Sequence, residues 1–199
     1  SKISDVSSGK LQQPSEMNNK DWEKLEAAGK EITNMYGENL IIAEVSSMTP
    51  NQLERMVKQY KKQHNIDAVY IDYAQIMHMN KGGAPKEASD FAEISDGLRR
   101  ISKSQNVAMV VGSQLSRDVE KRPDKKPMQS DLRNSGAFEQ DAAIIMGLYR
   151  DVVYNKETAD PSLLEVILLK NRFGELTTVN FNCDLSRQAI HSLGGPVAA

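Results

Sequence analysis

The 199-residue sequence predicts an α/β fold: a mostly parallel sheet with helices on both faces and an antiparallel extension toward the C-terminus. Three observations carry this. "AVYIDYAQIM" (68–77) and "VAMVVGSQ" (107–114) open as continuous apolar, β-branched runs, the pattern of strands buried in a parallel sheet. Long helix-period stretches separate such runs, as crossover connections require. Beyond residue 140 the runs lie closer together, and "TTVNFNC" with "RQAIHSL" reads as a terminal hairpin or meander.

In chain order, residues 1–19 are polar and aperiodic and read as a flexible arm or linker. Residues 20–193 form the core domain, and "GGPVAA" (194–199) is a frayed tail. A helix is expected from Lys20 to Tyr36, with Trp22, Leu25, Ile32 and Met35 near one face and Gly37 as its stop. "NLIIAEV" (39–45) reads as a strand. Thr49 then caps a helix with Pro50 in its first position and Leu53, Met56, Val57 and Tyr60 turned inward. After the 68–77 strand come a flexible loop, "NKGGAPKEASD", and a second long helix at about Lys86 to Gln105. A charged loop with two prolines runs from Leu115 to Ser130, ahead of strands at "AAIIMGLYR" and "LLEVILLKNR".

Composition narrows the classes. Hydrophobic residues at 39% and charged residues at 26% are an ordinary globular balance, and the length suffices for one sizeable core. With 25 basic and 27 acidic side chains the net charge is −2, so nucleic-acid contact must come from a local basic loop rather than bulk charge. Cys183 is the one cysteine, which rules out an intrachain disulfide and a cysteine-built zinc cluster. It is expected as a small buried residue, and its solitude suits a reducing, cytoplasmic compartment. His64, His78 and His191 are scattered without metal-ligand spacing. No apolar run approaches the roughly 20 residues that span a bilayer, and the opening "SKISDVSSGK" is polar. The expectation is a soluble protein with no membrane partner. The first residue is Ser rather than Met, as a fragment or processed product would show.

Candidate functional residues lie where the strands end, the place where ligands of parallel sheets bind. Asp72 is either a carboxylate capping a neighbouring turn or an acid holding the water shell of Mg2+ shared with phosphates. Gln114 is either a polar residue where a strand leaves the core or a group that feels a terminal phosphate and relays its presence onward. The two support each other if their strands are neighbours. In "KNRFG", Lys170 and Arg172 stand at i and i+2 and point to one side of a strand. They form either a solvated edge that deters strand pairing or a lysine and an arginine finger completing a neighbouring subunit's nucleotide site. The loop holding Arg117, Lys121, Arg122, Lys125 and Lys126, then Arg133, Asn134 and Gly136, is either a solvated loop or a track for a nucleic-acid backbone; no aromatics are interleaved for stacking. "SSGK" (7–10) is no phosphate loop: the first glycine of G-x-x-x-x-G-K-[ST] is lacking, Leu11 follows, and no strand precedes it.

"AVYIDYAQIM", "VVGSQLSRDVEKRPDKKPMQSDLRNSGAFEQDAAIIMGLYRDVVY" and "LLKNRFG" together resemble consecutive motifs of the DnaB-type replicative helicases of bacteria and their phages. The resemblance extends, more weakly, from about Lys10 to the end. It implies a RecA-like motor domain that uses ATP and Mg2+, assembles as a hexameric ring, translocates 5′-to-3′ on single-stranded DNA and meets a primase and a helicase loader. It also implies Asp72 as the Walker B acid, Gln114 as the link between γ-phosphate and DNA loops, Arg133 and Gly136 as backbone contacts, and Lys170 and Arg172 as the pair acting in trans. Asn134 stands where the family pattern has an acid. The family's phosphate-binding loop and catalytic glutamate precede everything seen in this chain, so the chain alone is expected to be inactive. The alternatives are a RecA-like module that lost the chemistry and binds or regulates a helicase ring, and, against the "SDLRNSGAFEQDA" block, a recombinase relative.

Overall fold

Thr49 and Gln52 set the start of the best-defined helix. The Thr49 hydroxyl accepts from Gln52 N and the Gln52 side chain accepts from Thr49 N, a reciprocal capping box that satisfies two orphan donors, with Pro50 in the first turn. Lys61, Lys62 and His64 load the last turn against the helix dipole, and Asn65 ends it in the left-handed region at φ 50°.

The computed structural model describes residues 4–79 and 88–193; the side chains of Glu38, Ala88, Arg133, Asn134 and Ser135 lie outside that description. The α-helices are α1 (Ser8–Gln12), α2 (Asn19–Tyr36), α3 (Pro50–His64), α4 (Ala88–Gln105) and α5 (Gly136–Asp141). The strands are β1 (Ala68–Ile71), β2 (Ala108–Val111), β3 (Ile144–Tyr149), β4 (Leu163–Asn171), β5 (Thr178–Asp184) and β6 (Ala189–Ser192). β1 and β2 form a parallel pair, and a second sheet has the order β3-β4-β5-β6, antiparallel from β4 onward. The mixed α/β architecture with an antiparallel C-terminal part agrees with the sequence. α2, α3, the end of α4 and the last four strands lie within the stretches read for them to about two residues, the expected start of α4 at Lys86 lying outside the described residues. The chain divides into two units, Ser1–Leu40 with Leu148–Ile167 and Thr177–Ala199, and Ile41–Gly147 with Leu168–Leu176.

In the second unit, strand period 2 meets helix period 3.6. Val69, Ile71, Met109 and Val111 turn to one face of the parallel pair and pack on Leu53 and Val57 of α3 and Ile94, Leu98 and Ile101 of α4. Ile94 and Ile101 are fully buried, each contributing about 1.5–3 kcal/mol relative to exposure. Among the described residues α3 and α4 share this face, whereas the other shows Tyr70 at 77% and Val110 at 41% exposure. Gly97 lets α4 close on α3: a Cβ there would stand 2.6 Å from Pro50 Cβ.

In the first unit, Asn18 and Asp21 cap α2 through a second capping box, and Lys10 reaches the same carboxylate at 2.7 Å. The Lys10 ammonium and the Asn18 N–H hold the Asp21 carboxyl below its ordinary range. Cys183 is buried in β5.

Within residues 4–19, α1 and a 3-10 turn at Pro14–Glu16 form, Val6 is buried, and Ser8 N donates to Ser186 O at 2.8 Å. On α2, Trp22, Ile32 and Met35 are 42–57% exposed. One expectation is corrected. The 39–45 stretch is no strand: Asn39 closes a 3-10 turn, no ladder forms, and Ile42 is 84% exposed. Apolar character makes a strand only where a neighbour completes its hydrogen bonds. The expected loop from Asn80 falls mostly, and the frayed tail wholly, outside the described residues.

Two glycines on helices should respond in opposite directions. Gly97→Ala, forced against the Pro50 ring, is expected to lower stability by roughly 1–3 kcal/mol through overpacking. Gly29→Ala, with open space at its Cβ on α2, should raise it by about 0.5–1 kcal/mol. Urea denaturation of both variants measures the pair.

Candidate functional site

The register Ile71↔Val111 ends β1 and β2 side by side, so the segments leaving them emerge at one carboxyl edge. The backbones stay joined past the ladder: Gly112 N donates to Ile71 O and Ala74 N to Gly112 O, each at 2.9 Å. Asp72, followed by a cis peptide bond to Tyr73, is exposed there. A Cβ on Gly112 would lie 3.7 Å from Asp72 Oδ1, so the carboxylate sits over the end of the neighbouring strand. Gln75 ties the edge together: its amide donates to Ser113 Oγ at 3.1 Å and its carbonyl accepts from Gln114 N at 3.3 Å. Asp72 and Gln114 are thus on adjacent, cross-linked strand ends. Gln75 and Ser113 were not singled out in the sequence, although Gln75 lies three residues past the acid in a turn.

No group of three or more His, Cys, Asp or Glu among the described residues could enclose a metal. One exposed carboxylate at a strand end does fit Mg2+, which keeps several waters and takes one or two carboxylates beside a nucleotide's phosphates.

Lys170 and Arg172 act as a pair, as their spacing implies. The Lys170 ammonium donates to the carbonyls of Glu139 and Gln140, and the Arg172 guanidinium donates to Gln140 O. Two cations therefore sit on the carbonyl end of α5, where the helix leaves its acceptors unpaired. In this structure they engage that helix end rather than Asp72. α5 is fixed in turn to α4 by Ser95 Oγ donating to Asp141 Oδ2 at 2.7 Å and by the edge-on Phe91–Phe138 contact.

The basic loop is folded. Arg117–Lys121 forms a 3-10 turn capped by Ser116, with Val119 buried. Arg117 is exposed. Lys121 pairs with Asp118 at 2.7 Å in the open, which raises its pKa. Lys125 donates to the carbonyls of Glu120 and Arg122, and Lys126 N donates to Asp124 Oδ1. Arg122 is turned inward onto buried Asp131 with two bonds of 2.7 and 2.9 Å, and this pairing raises its pKa. The loop is pinned to β3 by Pro127, against which a Cβ on Gly147 would stand 2.8 Å away. The backbone of Arg133 and Asn134 continues a 3-10 segment into Gly136, the first residue of α5, whose Cβ position faces open space. Between α4, β2, α5 and β3 lies a cavity of about 440 Å³, lined by Leu98, Met109, Val111, Phe138, Ile145 and Leu169 among others. No described helix is long and apolar enough to cross a membrane.

If Gln75 is the cross-link at the strand ends, Gln75→Ala should speed hydrogen exchange at the Gln114 amide while amides within α3 and α4 keep their protection. Unchanged exchange at Gln114 would show that the edge holds without it.

Residues 1–191 match the DnaB-like helicase C terminal domain. The chain is 35% identical over 178 residues to the replicative DNA helicase DnaB of Pasteurella multocida (strain Pm70), covering 89% of this chain and 38% of that protein. It superposes on a solved structure described as an ATPase domain with a TM-score of 0.87 at 32% identity, over 96% of this chain and 67% of that one. On the structure of a DnaB-like replicative helicase and its interactions with primase, the TM-score is 0.85 at 32% identity, over 96% and 47%. The chain thus spans well under half the length of the curated relative it matches. With its parallel strand pair, its Asp72–Gln114 edge and these likenesses, the chain belongs to the DnaB-like helicase C-terminal domain family, with a RecA-like fold.

Proposed function

We propose that this chain is part of the motor of a replicative DNA helicase, which couples ATP hydrolysis to 5′-to-3′ translocation on single-stranded DNA as a hexameric ring in the cytoplasm. The observation that carries the reading is the parallel register ending at Ile71 and Val111, which sets Asp72 beside Gln114 on one sheet edge. Bound Mg2+–ATP supplies the phosphoryl group to be transferred and the charge that the site must neutralise. Asp72 holds the metal's water shell, and Gln114 reads the terminal phosphate. The Gln114 backbone leads directly into the basic loop, so occupancy at the sheet edge reaches Ser116 through two peptide units and Arg117 through three.

The sequence has no G-x-x-x-x-G-K-[ST] element. We assign the phosphate cradle to a segment outside these 199 residues. Among the described residues β2 and β3 each have one edge without a paired strand, and these edges and the cavity between the two strands are consistent with such a segment entering there. Lys170 and Arg172 leave the α5 carbonyls to complete a neighbouring subunit's site. Arg133, Asn134 and Gly136 contact the DNA backbone, with Arg117 and the loop lysines contributing charge. A primase and a loader are the partners of the assembled ring.

In the purified helicase, Arg172→Ala should slow hydrolysis by about 10³–10⁵ while nucleotide binding is kept, as for other arginine fingers. Steady-state turnover with nucleotide titration tests this, and near-normal turnover would remove the assignment. Arg133→Ala should weaken single-stranded DNA binding and reduce its salt slope by about 0.7, the value of one phosphate contact on single strands. An unchanged affinity and slope would take Arg133 out of the interface.

A further inference from the structure

Arg122 is one of five cations in the basic loop, and by charge alone it looks like a phosphate contact. Its surroundings say otherwise. The guanidinium spends its donors inside the protein: Nη1 and Nη2 on the two oxygens of Asp131 at 2.7 and 2.9 Å, Nη2 also on Lys126 O at 2.8 Å, and Nε on Asp124 O at 3.3 Å. The partner carboxylate is only 4% exposed, whereas the Arg122 side chain keeps 27%, so the pair is half-buried with its acid end shielded from water. A buried carboxylate stripped of its cation is strongly unfavourable, and the pair therefore resists opening toward solvent phosphate. This differs from Lys121, whose bond to Asp118 lies in the open and exchanges readily with any other anion.

Asp131 also organises the backbone. Its Oδ2 accepts from Met128 N at 2.7 Å, and its own carbonyl accepts from Ser116 N at 3.0 Å. One bidentate pair thus joins the chain at Ser116, Arg122, Lys126, Met128 and Asp131. Pro127, held between those points, docks against Gly147 on β3. A loop of mixed charge with so many exposed polar side chains has little apolar burial of its own beyond Val119, Pro127 and Leu132. The ion pair substitutes for a core.

Resting on the functional reading above, we infer that Arg122 is a positioning residue: paired with Asp131, it holds the loop in the shape that meets single-stranded DNA and does not itself touch the DNA. Electrostatics give the test its sign. Removing an acid from a DNA-binding loop ordinarily tightens binding, because repulsion of phosphate falls and a cation is released. If Asp131 is half of the clamp, its removal weakens binding instead. Lysine sharpens the contrast, since a lone ammonium serves a phosphate well but cannot reproduce the planar fork that grips both Asp131 oxygens and Lys126 O.

The experiment is the affinity of the purified helicase that contains this chain for a fluorescent oligo-dT strand across a salt series, for wild type, Arg122→Lys, Arg122→Gln and Asp131→Asn. Nucleotide affinity and circular dichroism serve as controls that the sheet edge and fold persist. The expected result is that all three variants bind about tenfold or more weakly, as loss of a buried pair implies, with the wild-type salt slope retained. Tighter binding by Asp131→Asn overturns the inference. So does wild-type affinity in Arg122→Lys together with a slope lower by about 0.7 in Arg122→Gln, the mark of a direct phosphate contact. If Asp131→Asn does not fold, the two Arg122 variants decide alone. A wild type without salt-dependent affinity for the strand removes the DNA reading itself, and the inference falls with it; that failure shows in the wild type, before any variant is compared.

Discussion

The parallel pairing of β1 with β2 is the constraint on which the rest depends. Two short strands cannot hold a register unaided. Here the register is held from one side, by the layer of α3 and α4 whose buried side chains accept Val69, Ile71, Met109 and Val111. A slip of one residue would send those four to solvent and bring Tyr70 and Val110 inward. With the register kept, Asp72 and Gln114 share an edge; without it they are unrelated polar residues on two loops. The close contact of Gly97 with Pro50 belongs to the same constraint, because it lets the two helices form a continuous layer over the strands.

From that edge the structure builds outward by polar clamps more than by apolar packing. Gln75 joins the strand ends, Ser95 and Asp141 join α4 to α5, and Arg122 with Asp131 closes the basic loop. The first and last connect segments that emerge from the core into solvent, where little apolar area is available to bury, whereas Ser95–Asp141 works beside the Phe91–Phe138 contact. Such clamps are specific in geometry and sensitive to the loss of either partner, since a buried polar group left alone costs more than a satisfied pair contributes. Such bonds are firm in one arrangement, yet able to change when a ligand offers competing ones.

Lys170 and Arg172 illustrate that second aspect. In the isolated chain they satisfy the carbonyl end of α5, the helix that begins at Gly136 just after the loop. A stronger anionic partner, such as a terminal phosphate, would compete with neutral carbonyls for the same donors. This cation pair and the basic loop thus meet opposite ends of one short helix.

Local sequence determined what local physics controls. The capping boxes, the Pro50 start, the Gly37 stop and the apolar periods place α2, α3 and α4, and the continuous apolar runs place the strands that find neighbours. The motif blocks identified the family, and the spacing of Lys170 and Arg172 foretold that they act on one side. Tertiary structure alone decided the rest. The 39–45 stretch has strand-like residues but no ladder, because a strand is a property of two segments and not one. The arm acquired order through distant bonds such as Ser8 to Ser186. Arg122 reads as one more loop cation until the fold brings a buried carboxylate nine residues onward to meet it. Periodicity and capping are encoded within a few residues, whereas which charge is buried, and against whom, depends on contacts that only the closed chain creates.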